Sequence, residues 1–271
     1  MQEIPFGSAT HTIPDPRRAD REIVVFTHRP KAHAPASPIV IVMHGRNRNG
    51  GDYRDWWVEA SERHGALIAA PEFSEARYPH PGEYNYCAMF SPEGARRDAR
   101  EQLFPVIDHV FDDVRQRARS TAECYFLFGH SAGGQVVHRL VTFGWSERIG
   151  RAVTANAGSY TMPLFNHDFP FGVGNTPFDE QALAALLSRP MLVLLGEADN
   201  DPNHDQLPRE PGAMQQGPHR FARGNLYFET GRRAAERLGV PFGWTLAIVP
   251  GVAHSGEQMS AAAAEHLLAS P

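Results

Sequence analysis

The chain contains only two cysteines, Cys87 and Cys124, in 271 residues. Two thiols are too few for a disulfide framework of the kind that holds small secreted domains together. Cys124 stands at the start of a predicted strand, where we expect a buried core thiol. Cys87 falls in a predicted loop, and a Cys87–Cys124 bridge stays an open alternative.

Long apolar runs are also absent, and none reaches the length that crosses a bilayer. The first twenty residues, Met1 to Asp20, lack the hydrophobic core of a signal peptide. We therefore predict a cytoplasmic protein, or a periplasmic or secreted one if a leader has been removed. The net charge of −5 does not indicate a positively charged surface for nucleic acid, so no nucleic-acid partner is expected.

Predicted strands and helices alternate along nearly the whole chain, which favours an α/β fold with a doubly wound, mostly parallel sheet flanked by helices. With 42% hydrophobic residues, the chain can form one large core. We predict a single domain over 1–271 with a short cap-like insertion at about 156–190. The predicted strands are Glu22–His28, Ile39–Met43, Ala66–Ala70, Glu123–Phe128, Gly150–Ala155, Pro190–Leu195 and Trp244–Val249. The predicted helices are Asp52–His64, Ala95–Arg119 with a kink at Pro105, Gln135–Phe143, Asp179–Ser188, Leu226–Leu238 and Glu257–Ala269, and residues 1–20 are expected to be an extended lead-in.

The stretch Gly129-His130-Ser131-Ala132-Gly133 follows an apolar strand and precedes a helix-compatible segment. This is the G-x-S-x-G pattern in the context that it requires, a buried strand, a sharp turn and a helix. A serine at the tip of such a turn exposes its hydroxyl, and the glycines leave room where strand and helix meet. Ser131 is therefore the predicted nucleophile. The N–H of Ala132, at the positive end of the helix dipole, is a predicted oxyanion donor.

A serine nucleophile needs a general base, and the base needs an acid that orients it. His254 follows the last predicted strand through a short turn and is the predicted base. Asp199 lies three residues past Gly196, in the turn after the Pro190–Leu195 strand, and is the predicted acid. Asp201, two residues on, is the alternative acid. Because the carboxyl ends of parallel strands share one edge of the sheet, these side chains are expected to converge.

The second half of an oxyanion hole is expected at His44-Gly45, directly after the Ile39–Met43 strand. The N–H of Arg46, or that of Asn47, can donate there because Gly45 lets backbone approach the substrate. The Arg46 side chain either binds a substrate carboxylate, or it lies in solvent or forms a salt bridge to an acid of the loop. Aromatic residues in the strand-end loops either line an acyl pocket or pack the loops, and Tyr160 is the predicted substrate contact.

The segment after the Pro190–Leu195 strand resembles a calcium-binding loop only in part. Asp199 to Glu210 nearly fits a calcium loop, but His204 stands where that loop needs glycine for its sharp turn. We therefore predict no metal and no organic cofactor. A calcium ion at Asp199 would also remove the acid from the histidine.

The segments MHGRNRNGG, GHSAGG, GEADND and GVAHS resemble the α/β-hydrolase superfamily over essentially the whole chain. The loop at His44-Gly45, the short insertion and the helix RGNLYFETGRRAAERLG are similar to the esterase branch of polyhydroxybutyrate depolymerase-like and feruloyl-esterase-like proteins. The resemblance implies the α/β-hydrolase fold, a triad of Ser131, Asp199 and His254, and oxyanion amides at Arg46 and Ala132. It also implies a carboxylic ester hydrolase that acts on a small-molecule or oligomeric ester, with short hydroxybutyrate oligomers among the candidates. A peptidase or amidase with the same triad, or a non-catalytic binding module on this fold, are the alternatives, and the oligomeric state is left open.

Overall fold

A computed structural model describes residues 2–269, and a single eight-stranded sheet forms its centre. The strands are β1 Gly7–Asp15, β2 Arg18–Arg29, β3 Ile39–Met43, β4 Leu67–Glu72, β5 Tyr125–His130, β6 Ile149–Ala155, β7 Met191–Gly196 and β8 Trp244–Val249. Their order across the sheet is β1-β2-β4-β3-β5-β6-β7-β8. The strands from β4 to β8 run parallel, whereas β2 is antiparallel to both β1 and β4. The predicted mostly parallel sheet is confirmed.

Helices cover both faces of the sheet, as the fully buried strand β3 requires. They are α1 Gly50–Asp55, α2 Val58–His64, α3 Phe104–Arg117, α4 Ala132–Phe143, α5 Glu180–Ser188, α6 Pro211–Met214, α7 Arg220–Leu238 and α8 Gly256–Leu268. Successive β3 side chains point to opposite faces, so Ile41 joins the core under α3, α4, α5 and α7, and Val42 joins the core under α8. Because helices cover both faces of the sheet, a ligand site is expected at the carboxyl ends of the strands.

Several boundaries differ from the sequence prediction, and four of these differences bear on the fold. The expected lead-in contains β1, which pairs with β2 in a hairpin. Helix α3 begins only at Phe104, and Pro105 lies in its first turn. Because an N–H in the first turn has no partner within the helix, the proline does not kink it. The predicted helix Asp52–His64 is two helices separated at Trp56 and Trp57. Helix α7 starts at Arg220 rather than Leu226, because the His219 ring accepts the Ala222 N–H as an N-cap.

Both cysteines are free thiols, so the alternative of a Cys87–Cys124 bridge is wrong in this structure. Cys87 is buried, whereas Cys124 is exposed because β5 begins one residue later, at Tyr125. The expected core thiol at Cys124 is therefore wrong as well. In the described part of the chain, no helix combines the length and the apolar character of a membrane span. The segment between β6 and α5 is irregular, and its assignment as a cap-like insertion of a single domain stays a prediction.

Candidate active site

Ser131 lies at the tip of the turn between β5 and α4, in backbone that is strained for a residue with a side chain. Its φ is 57° and its ψ is −115°. The glycines of the motif make this turn possible, because a Cβ on Gly129 would lie 2.2 Å from the Gly133 carbonyl oxygen, and one on Gly133 2.1 Å from the Met43 oxygen. The turn therefore presents the Ser131 hydroxyl at the carboxyl end of β5.

The structure brings the three predicted triad side chains together. The His254 Nε2 lies 2.9 Å from the Ser131 Oγ, and its Nδ1 lies 2.6 Å from the Asp199 Oδ2. Asp201, the alternative acid, is exposed and accepts the Asn203 N–H instead. Burial lowers the pKa of His254 below its ordinary 6.5, although the hydrogen bond to Asp199 opposes this. A neutral His254 is able to accept the serine proton.

A buried arginine holds the other oxygen of the acid. The Arg220 Nη1 lies 3.3 Å from the Asp199 Oδ1, and both side chains are almost fully buried. This ion pair fixes the position of the Asp199 carboxylate at the cost of removing both charges from water. Asp199 therefore bonds His254 with one oxygen and Arg220 with the other, so it is not free for calcium, and the part of the chain that the structure describes contains no metal-ligand cluster. Sequence reasoning did not identify Arg220.

The loop after β3 is held in place by His44, whose ring is fully buried. The His44 Nε2 accepts the Phe73 N–H at 3.0 Å, so the Nδ1 carries the proton and donates to the Gly45 oxygen at 2.9 Å. The Tyr84 hydroxyl donates to the His44 carbonyl at 2.7 Å, and its ring stacks on the imidazole. Burial lowers the pKa of His44 to about 3, so the ring stays neutral at ordinary pH.

Both predicted oxyanion amides lie at this edge of the sheet. The first intrahelical bond of α4 runs from the Gln135 N–H to the Ser131 carbonyl, so the Ala132 N–H has no acceptor within the helix. The amide of Arg46 has no backbone acceptor within residues 2–269. Gly45 packs closely against the nucleophile, because a Cβ there would lie 3.7 Å from the Ser131 Cβ. The N–H groups of Arg46 and Ala132 are therefore available as donors, and their role in an oxyanion hole stays a prediction.

Tyr53 and His130 form a second buried pair beside the triad. The Tyr53 hydroxyl lies 2.8 Å from the His130 Nδ1, and the His130 ring lies 4.6 Å from the His254 ring. Burial, together with His254 and Arg220, holds the pKa of His130 well below its usual value. His130 is thus a neutral support for the His254 ring. Sequence reasoning missed its partner, Tyr53.

The pocket over Ser131 has a volume of about 140 Å³ and a largely polar lining. Besides the nucleophile and base, its walls include Arg46, Asn47, Asn49, Tyr53, Trp56 and Gln206. The Arg46 side chain is exposed and has no acidic partner within ion-pair distance among the described residues.

The prediction that Tyr160 contacts substrate is wrong for this structure. Tyr160 is fully buried, and its ring stacks on Tyr227 of α7 with centroids 4.5 Å apart. Its N–H donates to Gln216, which ties the loop to the body of the protein. The ring packs the loop, and the aromatic residues that do reach the pocket are Tyr53 and Trp56.

Solved structures include close relatives of this chain. LpqC, a poly(3-hydroxybutyrate) depolymerase from Bordetella parapertussis, is 41% identical over 96% of this chain and 89% of its own, with a TM-score of 0.91. Poly(aspartic acid) hydrolase-1 from Sphingomonas sp. KT-1 is 37% identical over 98% of this chain and 99% of its own, with a TM-score of 0.93. The chain belongs to the α/β-hydrolase superfamily.

The predicted fold and family are therefore confirmed, and so is the enzyme class of a carboxylic ester hydrolase of the serine esterase, depolymerase-like type. A more distant neighbour of this α/β-hydrolase, an S-formylglutathione hydrolase from Agrobacterium tumefaciens, is 18% identical with a TM-score of 0.59 and shares the fold. No protein-family model and no curated protein matches the sequence.

Proposed function

We propose that this hydrolase cleaves esters through a triad of Ser131, His254 and Asp199. The observation that carries the proposal is the hydrogen-bonded chain from the Ser131 Oγ through His254 to Asp199, at a strained strand-to-helix turn. Ser131 attacks the ester carbonyl carbon while the His254 Nε2 takes its proton. Asp199 orients the imidazole and stabilises its charged form. His254 then gives the proton to the leaving alkoxide, which leaves an acyl-enzyme.

In the second half of the proposed reaction, His254 takes a proton from a water molecule. The resulting hydroxide attacks the acyl carbon, and the proton passes to the Ser131 oxygen as the carboxylic acid leaves. The N–H groups of Arg46 and Ala132 bind the oxyanion that forms in both halves.

We propose a small, soluble ester or short polyester oligomer as substrate, with hydroxybutyrate oligomers as the first candidates. A pocket of about 140 Å³ holds only a short acyl group, and its polar walls suit a substrate with hydroxyl or carboxylate groups. LpqC is called a poly(3-hydroxybutyrate) depolymerase, which supports the same choice. The exposed Arg46 guanidinium is the proposed partner of a substrate carboxylate.

The decisive experiment is labelling with a fluorophosphonate followed by mass-spectrometric mapping of the modified residue. We expect the label on Ser131, and none on Ser131→Ala. A panel of short hydroxybutyrate oligomers, neutral esters and matched amides then defines the substrate. A label on another serine would contradict the proposed nucleophile.

The Ser131→Ala variant should fold normally and lose ester hydrolysis by roughly a thousandfold or more in kcat, since oxyanion contacts alone leave a residual rate. Chelators should leave the wild-type rate unchanged if no metal takes part. Near-normal turnover of Ser131→Ala would contradict the mechanism.

The cytoplasmic location, and the absence of a nucleic-acid partner, stay predictions that cell fractionation and a binding assay can check.

A further inference from the structure

A second cavity, of about 360 Å³, lies between the loop before α3 and the irregular segment after β6. It shares no lining residue with the pocket over Ser131. Its walls are aromatic: the Phe90 and Phe169 rings stack with centroids 5.3 Å apart, and Tyr86 meets Phe169 edge to face at 6.2 Å. The volume falls in the range of small-molecule sites, and the walls suit a flat apolar group.

The guanidinium of Arg139 does not line the cavity itself but lies behind two of its wall rings, Tyr86 and Phe169. It is fully buried, donates to the carbonyls of Asn85 and Pro170, and lies 4.9 Å from the Tyr86 ring centre and 5.7 Å from that of Phe169. Within residues 2–269, no carboxylate lies within ion-pair distance of it. Arg139 therefore ties the two segments together and holds the cavity walls in place, and its buried positive charge lies behind the aromatic rings and is not neutralised by an acid.

A second unpaired arginine, Arg97, stands at the rim. Its N–H donates to the Met89 carbonyl at 2.9 Å, and its own carbonyl accepts from the Gln102 side chain at 2.9 Å. The backbone is thus fixed at both ends, while the half-buried side chain has no ion-pair partner in the described part of the chain. This rim position therefore offers a positioned cation.

The neighbouring arginines are already neutralised. Arg17, Arg18 and Arg21 line an adjoining cavity, and they pair with Asp15, Asp20 and Glu83 respectively. Glu83 borders both cavities, so its carboxylate also repels a second negative charge on a ligand. Arg97 borders both cavities and Glu101 lines the adjoining one, but among the four arginines Arg97 is the one without an ion pair in the described part of the chain.

We propose that this cavity is a binding site for an organic monocarboxylate with a flat aromatic body. The carboxylate pairs with Arg97, and the ring lies against Tyr86, Phe90 and Phe169, with the charge of Arg139 behind them. A neutral molecule of the same shape leaves the half-buried Arg97 unpaired and binds less tightly. The proposal does not rest on the function proposed above, because the two pockets share no lining residue.

Titration calorimetry with 2-naphthoate, and with the neutral 2-naphthylmethanol, tests the proposal. We expect a 1:1 complex with 2-naphthoate at a Kd below about 1 mM, and at least about tenfold weaker binding of the alcohol. Arg97→Gln should weaken 2-naphthoate binding about tenfold and leave binding of the alcohol unchanged. Arg100→Gln, which removes an equal charge from an exposed position nearby, is the matched control and should bind like wild type.

A second pair of variants separates this site from the catalytic pocket. Phe90→Ala, checked for an unchanged melting temperature, should weaken both ligands because it removes one aromatic wall. Arg46→Gln should leave binding unchanged. Absence of binding to wild type, equal Kd values for Arg97→Gln and Arg100→Gln, or loss of binding in Arg46→Gln would each overturn the proposal.

Discussion

Arg46 offers the pocket a backbone N–H and a side chain, and the two roles can be separated by substitution. The N–H survives any change except to proline, whereas the guanidinium does not. Arg46→Ala should therefore spare neutral short-chain esters and lower kcat/KM for esters that carry a free carboxylate. Because the side chain is exposed, the expected loss is about 1 kcal/mol, or roughly fivefold. Steady-state kinetics on a matched pair of neutral and carboxylated esters gives the answer.

Arg46→Lys is the control for the geometry of this contact, since an ammonium keeps the charge but not the planar two-point contact. It should recover part of the loss. An equal fall for both esters would mean that the side chain only shapes the loop, and no fall for either would make Arg46 a solvated surface residue.

The proton affinity of His254 sets the acid limb of the pH profile. The base works when neutral, so kcat/KM falls as the pH drops through the pKa of His254 in the free enzyme. Burial lowers this pKa below 6.5, so the midpoint of the acid limb should lie below pH 6.5. A profile of kcat/KM from pH 4.5 to 8 measures it. A midpoint above pH 7 would mean that the charge of Asp199 outweighs burial.

At the scale of single elements, the sequence predicts best where the signal is local. The β8 strand is found with the predicted bounds, Trp244–Val249. The elbow at Ser131 follows from a five-residue motif, whose glycines are required by close contacts within the turn and with the end of β3. The sequence places the start of α3 nine residues too early, because Ala95 to Gln102 has a helix-compatible composition. In the structure, the Arg97 N–H donates to the Met89 carbonyl instead of forming a helical hydrogen bond. Tertiary contacts decide the structure of such segments, and helix propensity alone does not predict these contacts.

The same limit applies to the site. Ser131, Asp199 and His254 each follow an apolar strand, and this pattern identifies them. Tyr53 and Arg220 act through partners distant along the chain: Tyr53 contacts a histidine 77 residues away, and Arg220 contacts Asp199 across 21 residues. Neither contact can be recognised from the residues nearby in the sequence. The same holds for the burial of Tyr160, which places its ring away from the pocket.

Helix α1 supplies Tyr53, whose hydroxyl lies where three strand-end segments meet. It is bonded to His130, and Cβ atoms placed on Gly45 and Gly256 would lie 2.7 Å and 3.0 Å from it. Tyr53→Phe should loosen the relative positions of the oxyanion loop, the nucleophile and the base. We expect kcat to fall about tenfold with little change in KM, and stability to fall by about 1 kcal/mol.

Tyr125→Phe is the matched control for the loss of a phenol hydroxyl, because Tyr125 bonds Asp108 at the opposite end of β5. It should lower stability by a similar amount and leave kcat unchanged. If both variants lose the same activity, the Tyr53 effect is one of general stability and not of positioning.

At the scale of the whole molecule, three buried histidines make the fold sensitive to acid. The His44 Nε2 accepts the Phe73 N–H and the His138 Nε2 accepts the Thr161 N–H, so a proton on either nitrogen would break a bond in the core. Burial lowers the pKa values of His44, His130 and His138, that of His44 to about 3. The folded protein therefore leaves these rings neutral at pH values where the unfolded chain protonates them.

This difference predicts how stability depends on pH. Below the ordinary histidine pKa of 6.5, these three rings alone bind up to three protons more in the unfolded state than in the folded state, so the free energy of unfolding falls as the pH falls. Each such histidine contributes a slope of up to about 1.4 kcal/mol per pH unit, and three together about 4 kcal/mol per pH unit.

Urea unfolding at pH 7.0, 6.0 and 5.0 measures this slope in a range above the titration of most carboxylates. His138→Asn should reduce the slope by up to about 1.4 kcal/mol per pH unit, whereas His266→Asn, at an exposed position, should leave it unchanged. A free energy of unfolding that stays constant from pH 7 to 5 would mean that these rings titrate in the folded protein as they do in the unfolded chain.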